Sequence, residues 1–371
     1  MRVLMTGGGT GGHVNPAIAI ADTIRENIPG AAIAFVGTNK GIENKLVPEA
    51  GYPLLHVNVM GLRRSLSLKN IKAAYLALTS PAKAKRIIRQ WNPDIVIGTG
   101  GYVSWPVVKA AAGMGIPTAL HESNAVPGMA VKMLAGVVDR IYLNFMEAGA
   151  ELHCPEKLLH VGCPLRKGFA GISRERARKE LDIPEDTVYV LSYGGSLGAE
   201  KVNAAVLDLM EHYTGGREGV FHYHATGSIE KEIAAGWFRE RKLDRFQNLQ
   251  LTEYIYDMPR RMAAADVVIC RAGAMTISEL AAAGKCAVLI PSPNVTNNQQ
   301  YKNARVLADK DAAALLSEDA QLGTALRDTV AQLVENGNLR RQREEKIRGF
   351  AVPDANKRIF LDIQRLIREK K

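Results

Sequence analysis

VLMTGGGTGGH, residues 3–13, is the stretch on which the fold reading turns. A short apolar run, residues 3–5, ends in Thr6 and breaks into glycines. Residues 14–28 then carry apolar side chains at helical spacing (Ile18, Ala21, Ile24, Ile28). Strand, glycine turn and helix start, in that order, open a nucleotide-binding α/β unit. The same device returns in VLSYGGSLG, residues 190–198, with a helical stretch over 202–213 behind it. Around the first copy, strand-like runs at 32–36, 94–97, 117–120 and 141–143 alternate with helical ones such as 107–112. Around the second lie runs at 187–192, 220–225, 249–252, 267–269 and 287–290. Such alternation predicts parallel sheets with helices on both faces. The fold class is therefore α/β, with two Rossmann-like domains in sequence and two matched glycine turns facing a cleft. The boundary is expected near residues 164–174, where Pro, Gly and charge cluster, giving domains over 1–164 and 165–348. The tail, residues 349–371, ends in an amphipathic helix with apolar residues at 359, 360, 363, 366 and 367, which sequence alone assigns to neither domain.

The 371 residues have room for two cores, and the 47% apolar and 23% charged fractions are those of an ordinary globular protein. A net charge of +10 points to an anionic partner without choosing among nucleic acid, acidic membrane and phosphorylated ligands. The four cysteines form no CxxC pair and no metal-ligand spacing, and read as reduced thiols. No run approaches about 18 apolar residues and the start is too short for a signal-peptide core, so any membrane role is expected to be peripheral. From residue 61 to 90 there are eight basic residues and no acidic one: Arg63, Arg64, Lys69, Lys72, Lys83, Lys85, Arg86 and Arg89. Apolar residues interleave with them, the pattern of a face lying on anionic lipid. A nucleic-acid face is disfavoured, since Tyr75 is the only aromatic before Trp91. An ordinary solvated basic helix is the plain alternative.

Glycine turns at helix starts suit a diphosphate, because backbone N–H groups and the helix dipole face it without a Cβ in the way. Tight turns without a ligand are the alternative. Residues 7, 9 and 12 also match the dinucleotide spacing, but the strand over 32–36 ends in Gly37-Thr38-Asn39-Lys40, with no carboxylate for a ribose. His13 sits at the helix start, where the helix field favours a neutral imidazole, a usable general base; a histidine that merely caps or packs is the alternative. His121-Glu122-Ser123-Asn124 should lie at a strand's carboxyl end, where ligands bind in open α/β sheets, or else form a polar strand end that hydrogen-bonds its own loops. In the second half, the stretch 271–279 resembles a helix start facing phosphate. Glu279 lies one turn in, placed for sugar hydroxyls or, alternatively, for a capping box with Thr276. The amides of 297–300 suit sugar hydroxyls, though such runs are usually solvated loops. Asp309 and Asp311 read as surface charge. No metal and no cofactor are expected.

Taken together, GGGTGGH (7–13), GGYVSWP (100–106), HESN (121–124), VGCPLR (161–166), GGSLGA (194–199), EYIYDM (253–258), CRAGAMTISELAAAG (270–284) and NNQQ (297–300) resemble the MurG family, and the likeness runs nearly end to end. These transferases add N-acetylglucosamine to undecaprenyl-diphosphoryl-muramoyl-pentapeptide in bacterial wall synthesis, a process tied to cell shape and division. The resemblance implies the two-domain GT-B fold, with the last helix crossing back onto the N-terminal domain. It implies UDP-GlcNAc as donor and lipid I as acceptor, and a place on the cytoplasmic face of the membrane among other cell-wall enzymes. It matches Glu279 to ribose, Ile255 to uracil through its backbone, and Ser196, Ala274, Met275 and Thr276 to the diphosphate. Arg166 belongs to the donor site, and Gln300 with Gln299 to the sugar. Thr10, Gly11, Gly12 and Asn124 match contacts to the donor sugar and cleft. Ser123 departs from the family's HEQN. The mechanism expected is an inverting displacement with His13 as the first candidate base and Glu122, with His121, as the second. A sugar-nucleotide epimerase of similar build and a non-catalytic nucleotide-binding scaffold are the rival readings.

Overall fold

The computed structural model describes residues 1–59, 68–165, 168–169 and 171–370, and side chains throughout these except at 68–79. The chain forms two compact units: unit 1 is Met1–Arg166 with Val352–Lys371, and unit 2 is Lys167–Ala351.

Unit 1 runs β1 (Arg2–Thr6), α1 (Gly11–Asn27), β2 (Ala32–Gly37), α2 (Glu43–Glu49), β3 (Leu54–His56), α3 (Leu68–Trp91), β4 (Ile95–Gly98), α4 (Ser104–Ala112), β5 (Thr118–Glu122), α5 (Met129–Leu134), β6 (Arg140–Leu143) and β7 (Leu158–His160). Among the described residues its strands form one sheet in the order β3-β2-β1-β4-β5-β6-β7, every pairing parallel. β1 and β4 are apolar on both faces because helices cover both, which is why they read as continuous runs, while β5 is buried throughout yet ends in His121 and Glu122.

Unit 2 repeats the plan with α6 (Arg174–Glu180), β8 (Val188–Tyr193), α7 (Glu200–Leu209), β9 (Val220–Ala225), α8 (Lys231–Glu240), β10 (Leu249–Thr252), α9 (Met258–Ala264), β11 (Val267–Cys270), α10 (Ala274–Ala283), β12 (Cys286–Leu289), α11 (Gln299–Ala308), β13 (Ala313–Leu315), α12 (Leu322–Glu335) and α13 (Gly337–Arg348). Its sheet order is β10-β9-β8-β11-β12-β13, again parallel. The helix expected over 202–213 is α7 followed by a π turn, Met210–Thr214. The four cysteines are buried and free, and burial pushes the Cys270 and Cys286 thiols up to about 12.

The last helix, α14 (Ala355–Lys370), closes unit 1. Its stripe of Ile359, Phe360, Ile363, Leu366 and Ile367 joins the core formed by α1 and the sheet. Polar clips fix its register: Asp362 accepts from Arg140 Nε (3.1 Å) and Tyr142 Oη (3.0 Å), and Asn356 Nδ2 donates to Thr23 Oγ1 (3.0 Å). Of the basic stretch, Lys83, Lys85, Arg86 and Arg89 are exposed on α3 while Ala84 and Ile88 are buried. Arg63 and Arg64 and the side chains of Lys69 and Lys72 lie outside the described residues. No described helix is long and apolar enough to cross a membrane.

Candidate active site

In unit 1 the strand order reverses between β1 and β4, so the turns leaving these two strands flank the crevice where α/β sheets bind ligands. The two turns interlock. A Cβ on Gly101 (φ +79°) would stand 2.3 Å from the Gly8 carbonyl oxygen, and one on Gly100 (φ +108°) 2.6 Å from Cδ2 of His13. Only glycine fits at either place. Thr99 Oγ1 donates to the His13 carbonyl (2.7 Å), and Ser104 Oγ to the Gly100 carbonyl (2.7 Å). Gly100 and Gly101 were visible only as part of the GGYVSWP resemblance, and periodicity gave no hint of their contact with the first turn.

His13 stands in the first turn of α1, half-buried. Its Nδ1 lies 3.0 Å from the Gly8 carbonyl oxygen and 3.2 Å from Thr10 Oγ1. A carbonyl oxygen can only accept. Nδ1 therefore carries the proton in the neutral ring, and Nε2 keeps its lone pair.

β5 extends to Glu122, so His121 and Glu122 end the strand and do not follow it. His121 is fully buried, with Nε2 3.0 Å from the Gly162 carbonyl and Nδ1 3.3 Å from Ser123 Oγ. Burial pulls its imidazole down to about 4. With both nitrogens engaged and no exposed surface, His121 ties the strand end to the 161–163 turn. Glu122 is also buried. Its Oε1 accepts from the Asn124 backbone N (2.9 Å) and Nδ2 (3.0 Å), and its Oε2 from Gly128 N (2.7 Å). Burial raises its carboxyl above the ordinary carboxylate range, against the pull of the Asn124 and Gly128 donors and of the nearby His13. Three donors occupy it, beside His13. Asn124 is half-buried, Thr10 and Gly12 are exposed, and Gly11 is between.

Sequence reading found no carboxylate behind the first turn, because it looked at the end of β2. The carboxylate arrives slightly later, at Glu43, the first residue of α2. It is completely buried and accepts from Gly9 N (3.0 Å), Thr38 N (3.0 Å) and Thr38 Oγ1 (2.8 Å). Burial alone would raise its carboxyl, but the bonds from Thr38, Gly9 and its own N–H hold it below the usual value. A Cβ on Gly8, Gly37 or Gly41 would approach the Glu43 side chain to 2.7, 2.7 and 1.9 Å. The first turn is thus no simple anion cradle: one of its N–H groups is spent on a buried negative charge.

In unit 2 the order reverses between β8 and β11. The turn after β8 carries exposed Gly195 (φ +104°) and Ser196, with nothing within 4 Å of a Cβ placed on Gly195. Its base packs on the turn after β9. A Cβ on Gly198 would meet the Thr226 carbonyl oxygen at 2.3 Å, and Ser228 N donates to the Ser196 carbonyl (3.1 Å). After β11, α10 starts at Ala274 with Gly273 as N-cap and no side-chain cap, so the N–H groups of its first turn have no side chain closing them off. Thr276 and Glu279 lie within the helix, which sets the capping-box alternative aside. Glu279 is half-buried near Tyr193 and Cys270, and Ala274 and Met275 are buried. Ile255 is buried between exposed Tyr254 and Tyr256, whose rings meet edge-on at 4.9 Å. Gln299 and Gln300 begin α11. Gln300 Oε1 accepts from Ser292 N (2.8 Å), leaving its amide NH2 to donate. Asp309 pairs with Arg305 and Asp311 with Lys346, as surface charges do. Arg166 lies outside the described residues. Among those described, no group of three or more His, Cys, Asp or Glu side chains is placed to hold a metal ion.

Known proteins share this arrangement. The glycosyltransferase family 28 N-terminal domain matches residues 3–143, and the family's C-terminal domain matches residues 187–359. An Acetivibrio thermocellus protein named UDP-N-acetylglucosamine–N-acetylmuramyl-(pentapeptide) pyrophosphoryl-undecaprenol N-acetylglucosamine transferase is 38% identical over 370 residues, covering 100% of this chain and 99% of its own. The crystal structure of Acinetobacter baumannii MurG aligns with a TM-score of 0.78 at 28% identity, over 98% of this chain and 99% of that one. A putative UDP-N-acetylglucosamine 2-epimerase from Listeria monocytogenes reaches a TM-score of 0.70 over 99% of this chain and 97% of its own, but at 14% identity that speaks for the fold alone. Both halves of the sequence, and the two sheets they build, place the chain in glycosyltransferase family 28, on the branch of the MurG transferases.

Proposed function

We propose that the protein transfers N-acetylglucosamine, with inversion, from UDP-GlcNAc to the 4-hydroxyl of undecaprenyl-pyrophosphoryl-N-acetylmuramoyl-pentapeptide, the step from lipid I to lipid II in peptidoglycan synthesis. The observation that carries this reading is the end-to-end likeness to a transferase of that name, where the epimerase shares only the fold. The muramoyl 4-hydroxyl attacks the anomeric carbon as the bond to uridine diphosphate breaks, through an oxocarbenium-like transition state. The hydroxyl proton passes to His13 Nε2, the ring nitrogen left with a lone pair. Glu122 offsets the imidazolium charge that forms. The bonding electrons leave with the diphosphate. Its charge is met by the backbone around Ser196 and by the open first turn of α10, with Ala274, Met275 and Thr276. Glu279 and the backbone of Ile255 suit ribose and uracil, Arg166 the donor, and Gln299 and Gln300 the sugar hydroxyls. Thr10, Gly11, Gly12 and Asn124 suit contacts to the donor sugar.

His13→Ala should lower kcat by about 10²–10⁴ with the donor KM kept. An unchanged kcat removes His13 from the chemistry. Labelled donor incubated without acceptor should be returned unaltered; formation of a C2 epimer would favour the rival activity.

The lipid acceptor requires a membrane encounter, and we assign it to the basic stretch 61–90 on the cytoplasmic face. Exchanging Arg63, Arg64, Lys69 and Lys72 for Gln should weaken binding to anionic vesicles, by on the order of 1 kcal/mol for each charge lost at low salt. Binding that neither falls nor depends on salt contradicts this assignment.

A further inference from the structure

The bond from Glu43 and the bond from His13 end on the same peptide group. Gly9 N–H donates to Glu43 Oε2 (3.0 Å), and the carbonyl of that same peptide, on Gly8, accepts from His13 Nδ1 (3.0 Å). We propose that Glu43 is a positioning residue for His13, acting through the Gly8–Gly9 peptide as a carboxylate–peptide–imidazole relay. The proposal rests on the reading of His13 as the base.

A carboxylate pulling on an amide N–H polarises the amide and makes its carbonyl a better acceptor, because hydrogen bonds in a chain strengthen one another. A stronger acceptor at Gly8 favours the tautomer with the proton on Nδ1 and raises the basicity of Nε2, as the orienting partners of metal-bound and catalytic histidines do. Here a peptide stands between the two side chains, so the carboxylate remains buried and away from any substrate.

Several features are hard to explain by packing alone. The Glu43 side chain fills space that glycine vacates at positions 8, 37 and 41. Thr38 contributes its backbone N–H and its hydroxyl to Oε1, leaving Oε2 for Gly9. The result is a carboxylate held in its charged form directly behind the turn that carries the base. The groups facing His13 are the Glu122 carboxyl, the Thr10 hydroxyl and Gly100 against the ring. Glu122 approaches His13 from another side, so the experiment must separate the two carboxyl groups.

The test uses the full chain with ¹⁵N-labelled histidine. In the wild-type protein the neutral His13 ring should show a protonated Nδ1 and an unprotonated Nε2, and the Gly9 amide should shift with the midpoint of the His13 titration. Glu43→Gln keeps an acceptor for Gly9 but removes the charge. It should move the His13 midpoint, and the acidic limb of the kcat profile, to lower pH. It should also lower kcat about tenfold with the donor KM within about twofold. Glu122→Gln should move the midpoint without altering the Gly9 amide's response. A purely structural Glu43 would reduce stability or the fraction of active protein and leave the limb and the nitrogen shifts in place. A folded Glu43→Gln protein with an unmoved midpoint overturns the proposal. Should that variant not fold, an unprotonated Nδ1 or a Gly9 amide indifferent to the His13 titration overturns it in the wild-type protein. If His13→Ala keeps its kcat the base reading falls, while the nitrogen shifts still report on the relay.

Discussion

Gly101→Ala tests the interlocked turns of unit 1 most directly. At φ +79° a side chain pays the left-handed penalty of about 1–2 kcal/mol. The new Cβ would also sit 2.3 Å from the Gly8 carbonyl oxygen, where contacts below 3.0 Å are essentially unknown, so the turns must part by about 0.7 Å. The atom in the way is backbone, and no rotamer change relieves it. The carbonyl that must retreat is also the one that accepts from His13 Nδ1 at 3.0 Å, and a comparable displacement breaks that bond, for about 1 kcal/mol more. The expected loss is about 2–3 kcal/mol, or roughly 5–10 °C in the melting of unit 1. Trp91 and Trp105 report on unit 1 and Trp237 on unit 2, so fluorescence in a Trp237→Phe background reads the first alone. Gly115→Ala supplies the control. Its φ is +74° and nothing lies within 4 Å of a Cβ there, so it pays only the backbone penalty. The difference between the two variants isolates the clash. Because the lost bond fixes the tautomer of the proposed base, kcat should fall about tenfold in Gly101→Ala and stay put in Gly115→Ala. Equal melting temperatures and equal kcat for the two would refute the interlocking of the turns.

Two further outcomes follow from burial. Ile363→Ala empties a fully buried site on α14 and should lower the stability of unit 1 by about 2–5 kcal/mol, read from the urea midpoint of Trp91 and Trp105, while Trp237 reports no change. Burial depresses the folded His224 from 6.5 to about 4, so the unfolded chain binds the extra proton first as pH falls. The stability of unit 2 is complete above pH 6.5 and declines between 6.5 and about 4, by about 3 kcal/mol from this residue, with buried His222 shifted in the same direction. Urea midpoints for Trp237 at pH 7.5 and 4.5 measure the decline, and His224→Gln should flatten it; an identical slope in the variant would refute the assignment.

The sequence was most legible where physics is local. Central strands such as β1, β4 and β11 are apolar on both faces and read as unbroken runs. The α14 residues at 359, 360, 363, 366 and 367 were found by spacing, yet their partners in α1 could not be, since 3.6-residue periodicity names a face and not what covers it. The edge strands β3, β7 and β13 escaped notice because each is three residues long and partly exposed, too short to show a period. At the site, the histidine and the glycines were visible as types. Their bonding was not. His121 and Glu122 read as a strand's carboxyl end, and the parallel register of β5 with β6, at His121–Tyr142 and Glu122–Leu143, shows that the strand runs through both and buries them.

The two glycine turns carry the same argument further. GGGTGGH and GGSLG look like one device used twice, because local sequence records the permissive backbone but not the charge behind it. Behind the first stands Glu43, 34 residues beyond the glycine it binds, taking an N–H that an anion would otherwise use and placing negative charge under the turn. Behind the second, Gly198 meets the Thr226 carbonyl and the Cβ and Cγ of Glu230, and among the described residues none of the turn's N–H groups is seen donating to a carboxylate, while α10 begins without a side-chain cap. A diphosphate brought to the first turn would face an N–H already given to a buried carboxylate; brought to the start of α10 it would face N–H groups that no side chain caps. A hydroxyl that must lose a proton has the opposite preference, since negative charge behind His13 stabilises the imidazolium it becomes. The division proposed here, leaving group on unit 2 and deprotonation on unit 1, follows from the contrast between Glu43 bonded behind His13 and the uncapped start of α10, which neither glycine motif contains.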